Sequence, residues 1–256
     1  MPIDYARKLV GRKRTAGANR QLGFTLSFVA GAINAGGYLA VRQYTSHMTG
    51  MVSIMADQIV LGSYELVLNA LGALISFLTG AATTAALVNF AKRRHVHSEY
   101  AIPLLLEAGL LLLFGSLGTR LQSISGLFVP VTVMLLCFMM GLQNALITKI
   151  SRTEIRTTHV TGVLTDIGIE LGKLFYWNRI TSDSQLAVRA NRDRLAVLCK
   201  LVCLFFVGGL AGAIGFKHVG YASTIPLAVL LIALASVPAA DDLVLYWRRK
   251  EKHTRR

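Results

Sequence analysis

The sequence predicts an all-α polytopic membrane protein with six transmembrane helices and two short re-entrant or broken segments. The 256-residue chain is 54% hydrophobic. Its apolar residues form runs close to the roughly 20 residues that a helix needs to cross a bilayer. The same series of short motifs also occurs twice along the chain. This repetition indicates two related units, each with three of the spans.

Six apolar runs are interpreted as transmembrane helices. They are Leu22–Val41, Leu66–Ala91, Ala101–Leu117, Leu127–Ile147, Leu195–Phe216 and Ala222–Ala240. The first run follows a basic segment, but it exceeds the roughly 7–15 residues of a signal-peptide core, so we interpret it as a retained span. Two shorter runs, Met51–Leu61 and Val163–Leu171, follow the first and fourth spans. A helix over Met51–Leu61 would be about 16 Å long, which is half of the hydrocarbon core.

The positive charges indicate whether the short runs cross the bilayer. If they do not cross, then the arm 1–20, residues 92–94, the region 148–194 and the tail 241–256 all lie on one side. That side then holds all of the 27 Lys and Arg residues except Arg42, Arg120, Lys200 and Lys217. The positive-inside rule therefore favours two dipping segments and cytoplasmic termini. Charge placed in this way, although it sums to +14, predicts contact with the lipid bilayer and not with nucleic acid.

Four motifs recur in the same order in the two halves of the chain. FVAGAINA (28–35) matches FMMGLQNA (138–145), SHMTG (46–50) matches THVTG (158–162), FLTG (77–80) matches FVGG (206–209), and IPLLL (102–106) matches IPLAV (225–229). The repeated units are residues 21–118 and 127–240, and the second has a longer polar insert at 178–194. Since each unit has an odd number of spans, the two begin on opposite sides of the membrane, which predicts inverted repeats.

These motifs also carry a family resemblance. SHMTG, GLQNA (141–145) and RTTHVTG (156–162) make the chain similar to the YoaK-type family of bacterial membrane proteins, a group of unknown function. The resemblance covers essentially the whole chain and implies a multi-span protein of the bacterial inner membrane. Asn34 stands where the family often has an acidic residue, and Met51 stands where an asparagine often follows Thr-Gly. If the family couples transport to a proton on that acid, this chain lacks the group at position 34.

The repeated His-x-Thr-Gly motif is the predicted binding site. A dipping helix that begins near mid-membrane directs unsatisfied N–H groups at the centre. Two such N-termini favour a small polar or anionic solute. The first span of each unit adds amide side chains to the residues of the two motifs. The substrate-binding candidates are therefore Asn34, Ser46, His47, Thr49, Gly50, Gln143, Asn144, Thr158, His159, Thr161 and Gly162. Asp166, close behind the second motif, is the proton-relay candidate.

The other polar residues of the apolar runs also have structural interpretations. Ser46 or Thr158 would serve as an N-cap, and Gly50 and Gly162 would allow close helix packing. The histidines are the better functional candidates, because capping does not need an imidazole and a buried one without a partner is costly. Glu107 and Lys200 are expected to reach the membrane interface, since Glu107 is near the start of its span and the lysine side chain is long.

Four functions fit these residues. The leading one is a secondary transporter of a small polar or anionic solute, and the next is an aquaporin-like passive channel. A membrane-embedded metalloenzyme would use His47 and His159 as ligands, but the sequence offers no third convincing ligand and no H-E-x-x-H motif. A non-catalytic scaffold is the fourth. We therefore expect no enzymatic activity, no metal and no cofactor.

Overall fold

The structure is a computed structural model that describes residues 16–94, 99–121, 125–151, 159–176 and 188–236. Eight helices make up these ranges. They are α1 (Ala16–Val41), α2 (Met48–Val60), α3 (Tyr64–Arg93), α4 (Ala101–Leu121), α5 (Ser125–Ser151), α6 (Val160–Phe175), α7 (Arg192–His218) and α8 (Gly220–Ser236), which opens with a 3-10 turn. Most of the predicted N-terminal arm, the C-terminal tail and most of the insert at 178–194 lie outside the described residues.

Five of the described helices, α1, α3, α4, α5 and α7, are long and apolar enough to cross a membrane. Their backbone groups are bonded within the helix, which is what a hydrocarbon environment demands of a single segment. The predicted all-helical, polytopic membrane protein is therefore confirmed. The sixth predicted span coincides with α8. The described part of the chain ends at residue 236, and up to that residue α8 is shorter than the five long helices. The two short apolar runs are α2 and α6.

Several helices end at a residue in the left-handed conformation, which closes the last turn. Arg42, directly after α1, has a φ of 56°. Gly62 after α2 and Gly220 after α7 have φ values of 73° and 68°. Glycine adopts this conformation without strain, so the chain can turn sharply at both positions. At Gly62 this turn leads into α3 within a few residues of the end of α2.

The first long helix of each half lies at the centre of the protein. In the apolar stretches of α1 and α5, 61% of the residues are buried, against 22% in those of α3 and α7. The outer helices α3 and α7 instead expose large apolar side chains, among them Leu66, Leu78, Phe206 and Leu210. Such surfaces suit contact with lipid, because lipid tails are as apolar as the side chains themselves.

Phe-x-x-Gly motifs join each central helix to an outer one. A Cβ atom added at Gly31 of α1 would meet the carbonyl oxygen of Phe205 of α7, and one added at Gly208 would meet that of Phe28. The pair α3 and α5 repeats this arrangement with Phe77, Gly80, Phe138 and Gly141. The missing Cβ atoms let the two backbones approach closely, as small residues do in other membrane helices.

The packing corrects one motif match from the sequence. FLTG (77–80) was aligned with FVGG (206–209), which pairs Phe77 with Phe206. In the structure, the residues that make equivalent contacts are Phe77 with Phe205 and Gly80 with Gly208. The sequence FFVGG (205–209) contains Phe-x-x-Gly in two registers, and only the backbone contact distinguishes them.

Side-chain contacts give the relative directions of the helices. Ser27 Oγ of α1 donates to the carbonyl of Leu201 at 2.9 Å, and Gly36 lies against Phe216 further along both helices. Residue numbers therefore rise together, and α1 and α7 are parallel. In the same way α3 and α5 are parallel, since Gly72 lies against Met134 and Thr84 bonds to Leu142.

The two central helices run in opposite directions. Asn19 Nδ2, near the start of α1, donates to the carbonyl of Ile150 near the end of α5, at 3.2 Å. Further along α1, Leu26 accepts from Gln143, and Gly37 lies against Leu136. Residue numbers fall along α5 as they rise along α1, so this pair is antiparallel.

Candidate functional site

A cavity of about 970 Å³ lies between the two halves of the chain, and residues from both copies of the His-x-Thr-Gly motif line it, although Gly50 of the first copy is not among them. Residues that the sequence singled out contribute from each half: Asn34, Ser46, His47 and Thr49 from the first, and Asn144, His159, Thr161 and Gly162 from the second. The structure therefore brings the two motifs to one space, although more than a hundred residues separate them. Thr158 lies outside the described residues.

The histidines occupy the same backbone position in the two copies. His47 is the N-cap of α2, with φ and ψ of −92° and 69°, and His159 is the N-cap of α6, with −85° and 55°. Their carbonyl oxygens accept the first helical hydrogen bonds, from Met51 at 3.2 Å and from Val163 at 3.1 Å. Neither imidazole caps its helix. The structural alternative in which Ser46 is the N-cap does not hold, because His47 occupies that position.

The glycine of the motif makes room for the histidine. Gly50 is the third residue of α2, and a Cβ atom there would lie 2.8 Å from Nδ1 of His47. A Cβ atom at Gly162 would meet Nδ1 of His159 in the same way. Both distances are shorter than van der Waals contact, so a larger residue would displace the imidazole. The fixed spacing of His and Gly thus follows from the packing of the ring on its own helix and not from contact between helices.

The amides predicted for the site divide into two groups. Asn34 and Asn144 both line the cavity, and Ser46 Oγ donates to Oδ1 of Asn34 at 3.0 Å. Gln143 does not belong to the lining. Its side chain is fully buried, and its Nε2 donates to the carbonyl of Leu26 at 3.4 Å. Gln143 therefore bridges the central helices, and the structure gives it no route to a solute.

Asp166, the proton-relay candidate, is also not among the residues that line the cavity. Its Oδ2 lies 3.0 Å from Nη2 of Arg194, and both side chains are about half exposed. This ion pair connects α6 to the start of α7. Asp166 therefore contacts a charged surface partner, and the geometry does not support a relay into the cavity.

Sequence reasoning missed several residues of the cavity wall. Two of them, Phe77 and Phe205, come from equivalent Phe-x-x-Gly motifs, and Tyr44 stacks on Tyr38 with ring centroids 4.6 Å apart. The others are Met48, Thr148, Val160 and Thr165. The repetition of Phe-x-x-Gly indicated only that the two halves are related, and the match that it gave for Phe77 was Phe206 and not Phe205. Nothing in the sequence indicated that these rings face the same space as the histidines.

A comparison with known proteins agrees with this architecture. Residues 22–237 match the family described as "Protein of unknown function (DUF1275)". The chain belongs to this family. It is 31% identical over 155 residues to the UPF0700 transmembrane protein YoaK of Bacillus subtilis (strain 168), a match that covers 59% of this chain and 67% of the relative. No solved structure matches the chain. The YoaK-type resemblance and the membrane location are thus confirmed.

The cavity in this DUF1275 protein combines apolar side chains with polar groups, and its lining carries no fixed charge. Among the described residues that line it there is no Asp, Glu, Lys or Arg, so its polar groups are amides, hydroxyls, imidazoles and the first N–H groups of α2 and α6. Most of these groups can donate hydrogen bonds. In the described ranges, no set of three His, Cys, Asp or Glu side chains is placed to hold a metal ion. The arrangement suits a small solute that accepts hydrogen bonds.

Proposed function

We propose that this DUF1275 protein is a secondary transporter of a small polar or anionic solute, and that the solute binds in the cavity between two inverted repeats. One observation carries the proposal: equivalent His-x-Thr-Gly motifs from the two halves line the same cavity. A protein that alternates between two similar conformations needs a site that both halves share, and inverted repeats provide such a site near the bilayer midplane.

Helix direction supports the topology. If α3 and α4 cross the membrane and α2 does not, then α1 and α5 run in opposite directions. The contacts of Asn19 with Ile150 and of Gln143 with Leu26 have this arrangement. A crossing by α2 would make α1 and α5 parallel, and a crossing by α6 would make α1 and α7 antiparallel. Six spans, two dipping helices and cytoplasmic termini in the bacterial inner membrane are therefore part of the proposal.

The lining supports the class of solute. Two helix N-termini present unsatisfied N–H groups and the positive ends of their dipoles, and these favour an anionic or strongly polar group. Aromatic rings from Phe77 and Phe205 line the same space. A compact solute with a hydrogen-bond-accepting group and a small apolar part would fit both the polar and the aromatic side chains of the lining. Because the lining has no fixed cationic residue, it would not hold such a solute too tightly for release.

A thermal-shift screen of the purified protein against a library of small metabolites tests the proposal. A genuine solute should raise the melting temperature of the wild type and should have little effect on the variant His47→Ala/His159→Ala. Gly168→Ala is a matched control, since a Cβ atom there meets nothing within 4 Å. It should respond like the wild type. Solutes that stabilise all three proteins equally would bind elsewhere and would contradict the assigned site.

Counterflow in proteoliposomes separates a carrier from a channel. We expect that an outward gradient of the unlabelled solute drives uptake of the labelled one through the wild type. A rapid solute flux without exchange would instead favour the aquaporin-like alternative. Counterflow is informative because it requires that loaded sites reorient, which a continuous pore does not do.

Cysteine labelling tests the topology. In a background without Cys137, Cys199 and Cys203, the variants Leu61→Cys and Arg94→Cys place a thiol at exposed positions. An impermeant reagent added to intact cells should label position 61 and not position 94. The reverse pattern would mean that α2 crosses the membrane, and it would exclude the six-span arrangement.

A further inference from the structure

One carboxyl group lies deep in the protein, apart from the cavity. Glu107 of α4 is fully buried, and within the described part of the chain neither of its carboxyl oxygens has a hydrogen-bond partner. The expectation that it reaches the interface is therefore wrong, whereas Lys200 is exposed. Buried carboxyl groups normally find partners, so Glu107 is an exception that calls for an explanation.

The surroundings of Glu107 are apolar. Leu104 and Leu111, one turn to either side of it on the same face of α4, and the next residue, Ala108, are buried in the hydrophobic core. Three elements pack against α4, namely α3, α5 and the first turn of α8. Their described charged or titratable groups lie at helix ends or are weakly polar: Tyr64, Glu65, Lys92 and Arg93 on α3, Cys137 and Lys149 on α5, and Tyr221 on α8. In the described ranges, no ion pair joins any of them to Glu107.

The fold itself does not require an acid at this position. In the alignment of IPLLL with IPLAV, the counterpart of Glu107 in the second half is Leu230. Leu230 is only half-buried in α8, but the buried positions on either side of it, Leu227 and Leu231, are also leucines, so leucine serves where the second half needs only packing. An ionisable residue within an apolar run is costly, and for that reason a functional role is its default explanation. The acid at 107 therefore breaks the repeat without a structural reason.

We propose that Glu107 is a proton-binding site, separate from the solute cavity, that is neutral while α4 packs against α5 and α8. An unpaired carboxylate in an apolar interior costs far more than the neutral acid. When these helices separate and water enters, the acid releases one proton to water and becomes a carboxylate. When they repack, the carboxylate takes up one proton again. Glu107 would thus link proton exchange to a movement of α4.

Infrared difference spectroscopy of the full-length protein in lipid at neutral pH tests the protonation state. The wild type should show the carbonyl stretch of a protonated carboxyl group, and Glu107→Gln should lose it. Glu65→Gln, which changes an exposed carboxyl group on α3, should retain the band. If the Gln variant does not fold, Glu107→Leu takes its place, since the equivalent helix carries a leucine. A wild type without the band, or a band that survives in the Glu107 variants, would overturn the proposal.

Transfer of the same samples to D2O tests the exchange. We expect the carboxyl band of the wild type to shift as the proton is replaced by deuterium during the experiment. A band that is present but does not shift over hours would show a static buried acid and would refute the link to helix movement. Neither readout uses a solute, so the outcome is independent of whether the transport proposal stands or fails.

Discussion

The two halves of the chain differ mainly where they face away from the cavity. In the first half, α2 turns into α3 through Gly62, and Ser63 N–H bonds back to the carbonyl of Gln58 at 2.9 Å. In the second half, the Glu170 carboxylate of α6 accepts from the backbone N–H of Asn191, the N-cap of α7, at 2.8 Å. The same carboxylate accepts from Lys173 within α6 at 3.0 Å. Towards the cavity, by contrast, both halves have a histidine N-cap followed by Thr and Gly. The connections vary while the cavity-facing end is repeated, which is the pattern expected if the shared cavity is the functional part.

Alanine substitutions at the glycines that pack helix against helix are expected to have the largest effect. Gly208→Ala in α7 and Gly80→Ala at the equivalent position of α3 each place a Cβ atom on a backbone carbonyl oxygen, so a helix must shift. We expect each to reduce the free energy of unfolding by about 3 kcal/mol, as measured by thermal unfolding in detergent. The control Gly109→Ala, where a Cβ atom meets nothing within 4 Å, should be neutral or slightly stabilising. If only one of the two variants is destabilised, the halves are not packed equivalently.

Substitutions of the two motif histidines are expected to have the next largest effect. If a solute accepts a hydrogen bond from each imidazole, His47→Ala and His159→Ala should each reduce its affinity by about ten- to a hundredfold, which corresponds to roughly 1.5–3 kcal/mol. Titration calorimetry and melting temperatures should be measured on the same samples. His→Gln retains a donor and an acceptor, so it should retain more affinity than His→Ala. Normal affinity together with a lower melting temperature in both Ala variants would mean that the imidazoles are structural.

Alanine at the motif glycines tests why His and Gly are spaced as they are. Gly50→Ala and Gly162→Ala should push the imidazole from its place, so affinity should fall by about tenfold, the loss of one ordinary hydrogen bond. Stability should change little, because alanine is the better helix former. Gly172→Ala in α6, which has open space around it, should bind like the wild type. Equal affinity in all three variants would refute the positioning role.

The ionic connection of the second half should give a small, pH-dependent effect. The backbone N–H of Asn191 and then the Lys173 ammonium hold the pKa of Glu170 below its usual range. A carboxyl group of this kind stabilises the fold above its unfolded pKa of about 4.3 and loses that contribution as the pH falls through the folded pKa. Glu170→Gln should therefore melt earlier than the wild type at neutral pH, and the difference should vanish in acid. A difference that does not depend on pH would exclude this cause.

Much of the fold follows from the sequence, because an apolar run long enough to cross a membrane must form a helix to satisfy its own backbone hydrogen bonds. The predicted runs Leu66–Ala91 and Ala101–Leu117 lie within α3 and α4. The shared cavity was also expected, since polar residues at membrane depth tend to face the protein interior or water and not lipid. The register of Phe205 was not predictable, because consecutive phenylalanines and glycines fit the motif in two ways.

The remaining errors concern individual side chains. Gln143 stands beside Asn144 in the same motif, yet successive residues of a helix point about 100° apart, so only one of them lines the cavity. Glu107 was expected at the interface from its place near the start of a span, but the face it occupies is set by the packing of α4 on its neighbours. Distances along the chain do not determine such orientations, and only the assembled helices do.

The most direct test of the central claim is the distance between the two motifs, since the claim is that both halves build one cavity. Spin labels on Thr49→Cys and Thr161→Cys, in a background without native cysteines, report this distance by pulsed electron paramagnetic resonance in lipid. Because both positions line the same cavity of about 970 Å³, we predict a distance well below the roughly 30 Å thickness of the hydrocarbon core. A distance close to that thickness would place the motifs at opposite membrane faces and would contradict a shared site.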